Sequence, residues 1–94
     1  MINFRSELHR ELLGYYFANP KAEHYVRELA KLLSVDGANL SRELNLLAGA
    51  KIFTFSRRGR EKYFSINPGH PLYEELKKVT AYIVSEKQAK IRKS

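Results

Sequence analysis

The chain has 94 residues, of which 44% are hydrophobic and 29% are charged, and it contains no cysteine. This length suits one soluble domain with one modest core. The lack of cysteine excludes disulfides, thiolate metal sites and a cysteine nucleophile. No apolar run approaches the roughly 20 residues that a membrane span needs, and the N-terminus lacks the order of a signal peptide. We therefore expect a cytoplasmic protein without a membrane segment.

The positive charge is concentrated in two short segments. The formal net charge is +7, yet residues 1–50 hold six basic and six acidic residues. Residues 51–62 carry a net charge of +4, and residues 85–94 carry a net charge of +3. Such an uneven distribution indicates a polyanionic partner or an anionic surface. In the last ten residues it is also typical of a solvated tail that keeps a protein soluble.

Two helices are predicted in the first third of the chain. Residues 4–18 form the first, because apolar residues recur at every fourth position. Asn3 or Ser6 is its expected N-cap. Tyr25–Val26 is expected to form a very short strand, since both residues favour extended backbone. Residues 28–33 then form the second helix.

A third helix is predicted over residues 36–50, after a four-residue turn. Asp36 is its expected N-cap, because its carboxylate can accept hydrogen bonds from the free N–H groups of the first turn. Leucines at positions i, i+4 and i+7 form its buried stripe. A merely solvated face would more often carry Glu and Lys, whereas the opposite face of this helix carries short or hydrogen-bonding side chains and one arginine. These residues are Ala38, Asn39, Ser41, Arg42 and Asn45.

The strongest β signal of the chain lies in residues 52–66. β-branched and aromatic residues are frequent in residues 52–56 and 62–66, and the five-residue link between them contains Gly59. This pattern predicts an antiparallel hairpin with the glycine at the turn. The link and its edges carry three arginines and a lysine, so the hairpin tip is strongly basic.

A last helix is predicted after a break rich in proline and glycine, with Pro71 in its first turn. Apolar residues at positions i, i+4, i+7 and i+11 form a narrow stripe that suits contact with another helix. They are Leu72, Leu76, Val79 and Ile83. The pattern ends after Val84. We therefore expect a domain over residues 1–84 and a basic tail, frayed or disordered, over residues 85–94.

The order helix, short strand, helix, turn, helix, hairpin, helix predicts an α+β, mostly helical fold. It is that of a winged helix-turn-helix, with a three-helix core, a two-stranded β wing and an extra C-terminal helix. Over about residues 4–80 the sequence resembles winged helix-turn-helix regulators of the ArsR/MarR type, through "YVRELAKLLSVDGANLSRELNLLAGAKIF" and "SRRGREKYFSINPGHPLYEEL". The segment "NPGHPLYEEL" resembles a variant that precedes a nucleotidyltransferase domain. At Ala50-Lys51 the family often has Ala-Gly, so we expect the recognition helix to end differently here.

The resemblance implies a transcriptional regulator that binds double-stranded DNA. Helix 36–50 would enter the major groove, and hairpin 52–66 would lie on the flanking backbone or in the minor groove. Arg42 would then reach a guanine edge, unless it pairs with Glu43, Glu28 or a phosphate. The asparagines suit adenine, the alanine suits a thymine methyl group, and the serine suits a base or a phosphate. The expected DNA-binding residues are Ala38, Asn39, Ser41, Arg42, Asn45, Arg57, Arg58, Arg60 and Lys62.

A catalytic or cofactor site is not expected. His9, His24 and His70 lie in separate predicted elements without metal-ligand spacing, so each is expected to be a surface or capping histidine. Tyr63 and Phe64 lie in a strand and not at the hairpin tip, which favours a role in the sheet and core over stacking on bases. The sequence has no glycine-rich phosphate loop. We therefore expect no enzyme, no cofactor and no small-molecule substrate.

The sequence leaves the oligomeric state and two rival functions open. A palindromic operator would require a homodimer, for which the first and last helices are the candidate interface, unless their apolar residues form the core of a monomer. These residues are Tyr15, Tyr16, Leu76, Val79 and Ile83. One rival function is a protein-interaction module, which an apolar patch around Leu46 on the third helix would favour. The other is RNA binding, in which the wing would follow a phosphate backbone.

Overall fold

A computed structural model describes the backbone of residues 6–93 and the side chains of residues 6–83. Three helices form the core of the domain, two strands form the wing, and the last helix packs on the first. In chain order they are α1 (Glu7–Ala18), α2 (Val26–Leu33), α3 (Gly37–Gly49), β1 (Phe53–Arg58), β2 (Glu61–Ile66) and α4 (Tyr73–Lys93). The predicted α+β, mostly helical winged helix-turn-helix fold is confirmed.

Helix α1 begins after Ser6, whose Oγ accepts a hydrogen bond from the N–H of His9 at 3.3 Å. This bond satisfies one of the free donors of the first turn and confirms Ser6 as the N-cap. The other predicted cap, Asn3, and the first residues of the predicted helix lie outside the described residues. The periodic apolar face is buried as predicted, and the helix ends at Ala18, two residues before Pro20.

The connection from α1 to α2 differs from the prediction. The expected strand at Tyr25–Val26 is wrong, because His24 makes the bridge to the hairpin, pairing with Phe64 through N···O distances of 3.2 and 2.8 Å. Tyr25 is the N-cap of α2, since its carbonyl accepts the first helical hydrogen bond from Leu29 at 3.0 Å. The pairing with the hairpin is therefore made by His24, and Tyr25 keeps extended backbone as the N-cap before the helix begins at Val26.

Helices α2 and α3 are joined by a tight turn. Ser34 ends α2 in the left-handed conformation with φ of 56°, and the N–H of Val35 bonds to the carbonyl of Ala30 at 3.0 Å. Asp36 Oδ2 then accepts from the N–H of Asn39 at 2.8 Å, which confirms the predicted N-cap of α3. The three leucines of the predicted stripe are buried. Together these contacts form the helix-turn-helix unit.

Helix α3 ends through a left-handed residue that is not glycine. Lys51 has φ of 67°. It lies at the position where the regulators that the sequence resembles often have glycine. The N–H groups of Lys51 and Ile52 bond to the carbonyls of Ala48 and Leu47, each at 3.0 Å. This is the hydrogen-bond pattern of a Schellman motif, and buried Ile52 supplies its hydrophobic contact. The lysine thus adopts the conformation that glycine would adopt more easily, at a cost of about 1 kcal/mol.

The strands of the hairpin are longer and its turn is tighter than predicted. Strands β1 and β2 are joined by Gly59 and Arg60 alone, so the predicted five-residue link is wrong. The register pairs Arg57 with Lys62 and Arg58 with Glu61. Gly59 has φ of 62° at the first turn position, as in a type II′ turn, which matches the twist of the flanking strands. Polar residues near the tip therefore belong to the ladder.

Tyr16 connects α1 to the hairpin at the centre of the core. Its side chain is fully buried, and its hydroxyl donates a hydrogen bond to the carbonyl of Phe64 at 2.8 Å. Burial raises the pKa of Tyr16 above its ordinary value, because the ionised form would lose its hydration. Phe64 is 1% exposed, and Tyr63 is half-buried against the ring of Tyr25. The predicted structural roles of Tyr63 and Phe64 fit this arrangement.

The start of α4 and the face that it buries differ from the prediction. The helix begins at Tyr73, and Pro71 lies in the preceding turn, so Pro71 is not in the first helical turn. Thr80 is 3% exposed, whereas Leu72 and Val79 of the predicted stripe are 44% and 43% exposed. The ring of Tyr73 packs on that of Phe17 in α1, with ring centroids 5.4 Å apart. This contact turns the helix so that the buried stripe is displaced by one position.

The backbone of α4 continues to Lys93. The amphipathic pattern of the sequence ends at Val84, whereas the helical backbone continues beyond it. The division into a domain and a basic tail stays a prediction. Within residues 6–93, no helix is both long enough and apolar enough to cross a membrane.

Candidate nucleic-acid interface

The polar face of α3 is open to solvent. Ala38, Arg42 and Asn45 are exposed, and Asn39 and Ser41 are half-buried. All five lie away from the leucine stripe that fixes α3 in the core, because a helix turns about 100° for each residue. The structure thus places the predicted α3 residues on one accessible side of the domain.

Arg42 is held along the surface of α3 by its neighbours. Its Nη2 donates to Asn39 Oδ1 at 2.7 Å, and its Nε lies 3.9 Å from Glu43 Oε2. The side chain of Arg42 remains 69% exposed. The predicted alternative of a pair with Glu43 is present at long distance, whereas Arg42 makes no pair with Glu28. An exposed pair of this length contributes little energy, so the guanidinium can exchange it for another acceptor.

Asn45 links α3 to the wing. Its Nδ2 donates to the carbonyl of Ser41 at 2.9 Å, and its Oδ1 accepts from Lys62 Nζ at 3.3 Å. The Lys62 ammonium also lies 4.4 Å from the centroid of the Phe55 ring, a favourable cation–π distance. Two of the predicted residues from different elements therefore touch, and Lys62 is directed towards α3.

A cleft of about 250 Å³ separates α3 from the wing, and we call it the α3–wing cleft. Five of the predicted DNA-binding residues line it, and apolar side chains form part of its wall. The five are Ser41, Asn45, Arg57, Arg60 and Lys62. Among the described residues, no carboxylate lies within ion-pairing distance of Arg57, Arg60 or Lys62. Glu61 also lines the cleft, and its carboxylate lies 3.8 Å from Arg27. The cleft therefore presents three cations outside any ion pair and one carboxylate.

The third wing arginine, Arg58, lies on the other side of the hairpin. Its Nη2 forms a 2.8 Å ion pair with Glu23 Oε1, and its guanidinium stacks on the Tyr63 ring at 4.7 Å. The hydrogen bond and the charge of Glu23 raise the pKa of Arg58. Close by, Arg27 lies 3.8 Å from Glu61. The structure therefore separates Arg58 from the cations of the cleft.

The ion-pair partners of two acidic residues near the candidate interface could not be predicted from the sequence. Glu23 compensates Arg58 across 35 positions of sequence. Glu43 follows Arg42 on α3, and its Oε1 lies 2.7 Å from Nε2 of His9 on α1. Acidic residues at both positions are visible in the sequence, but no local pattern indicates their partners.

The three histidines have different surroundings. His9 is 4% exposed, so the expectation of a surface histidine is wrong for it, because its pairing with Glu43 allows burial beside leucines. His24 lies between the Tyr15 hydroxyl at 2.5 Å and Glu28 Oε1 at 2.8 Å. Nδ1 of His70 accepts from the N–H of Leu72 at 3.0 Å, within the turn that precedes α4. Within residues 6–83, His, Asp and Glu do not form a group of three suited to a metal ion.

Comparison with known proteins found a solved structure with a similar fold. No protein-family model matches the chain, and no curated protein sequence matches it. A crystal structure of AntR, an antimony-specific transcriptional repressor, is similar to it with a TM-score of 0.67 and 19% sequence identity. The match covers 89% of this chain and 72% of AntR. At this identity the likeness concerns the fold, and it confirms at that level the resemblance to winged helix-turn-helix regulators that the sequence predicts. The chain is a winged helix-turn-helix domain.

Proposed function

We propose that this chain binds double-stranded DNA in a sequence-dependent way and acts as a cytoplasmic transcriptional regulator. One observation carries the proposal: Ser41 and Asn45 of the polar face of α3 line the same cleft as the wing cations that have no ion pair. A surface of this kind combines side chains that recognise base edges with charges that attract phosphates. The likeness in fold to AntR, a transcriptional repressor, supports the same function.

In the proposed complex α3 lies in the major groove, where each base pair has its own pattern of donors and acceptors. Arg42 exchanges its contact with Asn39 for a guanine edge, which also releases Asn39 to pair with adenine. Ala38 at the start of the helix meets a thymine methyl group. Asn45 and Ser41, nearer the wing, contact a base or the adjoining phosphate.

We do not propose the antimony specificity of AntR for this chain. Soft metal ions are held by thiolate ligands, and the 94 residues contain no cysteine. The regulator proposed here therefore does not sense antimony through thiolates of this chain.

We propose a homodimer, because two-fold symmetric operators are read by two copies of α3 about one helical turn of DNA apart. Exposed apolar side chains support an interface there. Val79 and Tyr82 of α4 are 43% and 66% exposed, and Leu72, just before the helix, is 44% exposed. Tyr15 of α1 and Leu76 and Ile83 of α4 are half-buried. Tyr16, a predicted interface candidate, belongs to the core of the monomer.

The proposal is tested by fluorescence anisotropy with labelled duplexes. A duplex recovered by the protein from a random-sequence library is compared with scrambled DNA and with RNA across a salt series. We expect preference for the recovered duplex and a binding constant that falls steeply with salt, by about 0.9 log units per log unit of salt for each phosphate contact. Absence of salt-sensitive binding to DNA would overturn the proposal, and equal binding to RNA would favour RNA as the partner.

The role of Arg42 is tested with the same duplexes. Arg42→Ala is expected to lower the preference for the recovered duplex about tenfold, since a good arginine–guanine contact discriminates by roughly 1–3 kcal/mol. Lys78→Ala removes an exposed cation from α4 and serves as the control. An equal loss on recovered and scrambled DNA would show that Arg42 contacts phosphate and not a base.

A protein-interaction module is the second candidate function, and Leu46 is the observation that favours it. This leucine is 61% exposed on α3, one turn after Arg42. Its neighbours on that face are polar or small, so it forms no broad apolar patch. Leu46→Ser should leave DNA affinity within about twofold; a protein that binds no nucleic acid at any salt concentration would make this second function the better one.

A further inference from the structure

We propose that the α3–wing cleft binds one phosphate group of the DNA backbone, so that the wing grips the backbone beside α3 and does not enter the minor groove. The inference rests on the proposed function and decides between the two positions of the wing that the sequence leaves open. It is carried by the charge, the register and the direction of the residues that line the cleft.

The first observation is a like-charge pair in the sheet. Arg57 lies directly opposite Lys62 in the ladder of β1 and β2, and both line the cleft. Like charges directly opposite each other destabilise an antiparallel pair. Among the described residues neither has an acidic partner, and the turn residue Arg60 adds a third cation to the same cleft. An anion in the cleft would remove this repulsion.

The second observation is a set of neutral polar groups on the opposite wall. Ser41 and Asn45 of α3 line the cleft, and Asn45 already contacts the Lys62 ammonium at 3.3 Å. The hydroxyl, the amide and the three cations can all donate hydrogen bonds to phosphate oxygens. Glu61 is the one carboxylate among the lining residues, and Arg27 lies 3.8 Å from it. The cleft volume of about 250 Å³ is several times the roughly 30 Å³ of a water molecule, so a tetrahedral phosphate has room.

The third observation concerns the direction of the wing arginines. An arginine that reads the minor groove must extend from the hairpin into the groove. Arg60, at the tip, instead lines the cleft towards α3 together with Arg57, and Arg58 is engaged by Glu23 and Tyr63. The wing therefore directs two arginines at the space next to the recognition helix and holds the third against the domain.

The test neutralises one phosphate at a time. Methylphosphonate linkages are placed singly along the duplex recovered from the random library, and binding is measured for the wild-type chain and for the Arg57→Ala, Arg60→Ala double variant. We expect one position, or two adjacent positions, in each half-site where neutralisation weakens wild-type binding about tenfold. The double variant, already weakened, should lose less than twofold more at those positions. Equal further losses in both proteins would overturn the inference.

A minor-groove ligand gives an independent readout. Distamycin at concentrations that fill A·T-rich minor grooves flanking the site should leave wild-type affinity within about twofold, and displacement of the protein by distamycin would overturn the inference. Arg58→Ala is the matched control, and it should keep the wild-type pattern of phosphate sensitivity. Circular dichroism confirms that each variant is folded. If the wild-type chain recovers no duplex from the library, the proposed function itself fails, and the inference fails with it.

Discussion

The two faces of the wing carry similar residues in opposite electrostatic situations. On the face towards α3, Arg57 lies opposite Lys62, and no described carboxylate pairs with either. On the other face, Arg58 lies opposite Glu61 and makes an ion pair with Glu23. Arg57 and Arg58 are adjacent in sequence, yet alternation along a strand sends them to opposite sides of the sheet. The face towards α3 is left with excess positive charge, although Glu61 also lines its cleft, and the other face is nearly neutral.

This difference shows that the charge in a sequence segment is not the charge that a partner meets. Residues 51–62 carry +4 in the sequence, but Glu23, from a distant loop, engages one of those cations. A phosphate is attracted by the charges that remain unpaired, since an existing short ion pair must be broken before its cation can serve. The register of the hairpin therefore decides which arginines are available for DNA.

The largest expected effect on DNA affinity is that of Arg57→Ala, compared with Arg58→Ala on the other face. Arg57→Ala should weaken binding to all duplexes by roughly five- to tenfold at low salt and reduce the salt slope by about 0.9, the value for one lost phosphate contact. Arg58→Ala should change affinity by less than about twofold. Anisotropy titrations across a salt series give both quantities. Equal effects of the two substitutions would break the distinction between the faces.

Tyr16→Phe tests the hydrogen bond that connects α1 to the hairpin, on which both faces of the wing depend. We expect the free energy of unfolding to fall by about 1 kcal/mol, because the buried Phe64 carbonyl loses one of its two donors and keeps only the His24 N–H. Burial raises the Tyr16 pKa above the ordinary 10.0, so the stability linked to it is present below pH 10 and declines as pH rises further. Urea titrations at pH 7 and above pH 10 should show a weaker decline in the variant; an unchanged decline would contradict this assignment.

Lys51→Gly tests the junction that leads from α3 into the wing. Glycine adopts φ of 67° without the steric cost that lysine bears, although it also gives the unfolded chain more freedom. We expect the free energy of unfolding, measured by urea titration, to rise by about 0.5–1 kcal/mol. The difference in DNA affinity between Arg57→Ala and Arg58→Ala should be preserved. A loss of stability would mean that the Lys51 side chain contributes more than the backbone strain costs.

The smallest effect is expected from Glu23→Ala, and its direction is the informative part. Removing the carboxylate frees Arg58 and deletes a negative charge beside the wing. We expect affinity for scrambled DNA to rise about twofold, and the double variant with Arg58→Ala to show no such rise. Lower affinity in Glu23→Ala would instead show that the ion pair holds the wing in its binding position.

The parts of the fold that local signals determine could be predicted from the sequence. Asp36 and the leucines of α3 specify that helix by a cap and a 3.6-residue period, and Gly59 marks the hairpin turn. The lengths of the strands could not be predicted, because Arg57 and Arg58 have no β signal of their own. They join the ladder since the two-residue turn brings their partners opposite them.

The parts that depend on distant partners could not be predicted. His9 is buried through Glu43, which lies 34 positions away, and Arg58 is engaged by Glu23 at a separation of 35. The buried stripe of α4 lies one position away from the predicted stripe, because the contact between Tyr73 and Phe17 has no signature in either segment. Such pairs appear when helices are assembled in three dimensions. Whether the nine predicted residues bind DNA stays a prediction.

Strand β1 is the open edge of the wing, and its charges have a consequence for the solubility of the protein. Strand β2 is paired on both sides, by β1 and at Phe64 by His24, whereas among the described residues nothing pairs with the outer side of β1. An open edge invites strand addition from another copy, and lysine or arginine near it opposes that. Lys62 covers the 42% exposed Phe55 ring. The same cations that would hold DNA therefore keep separate molecules from joining edge to edge in its absence.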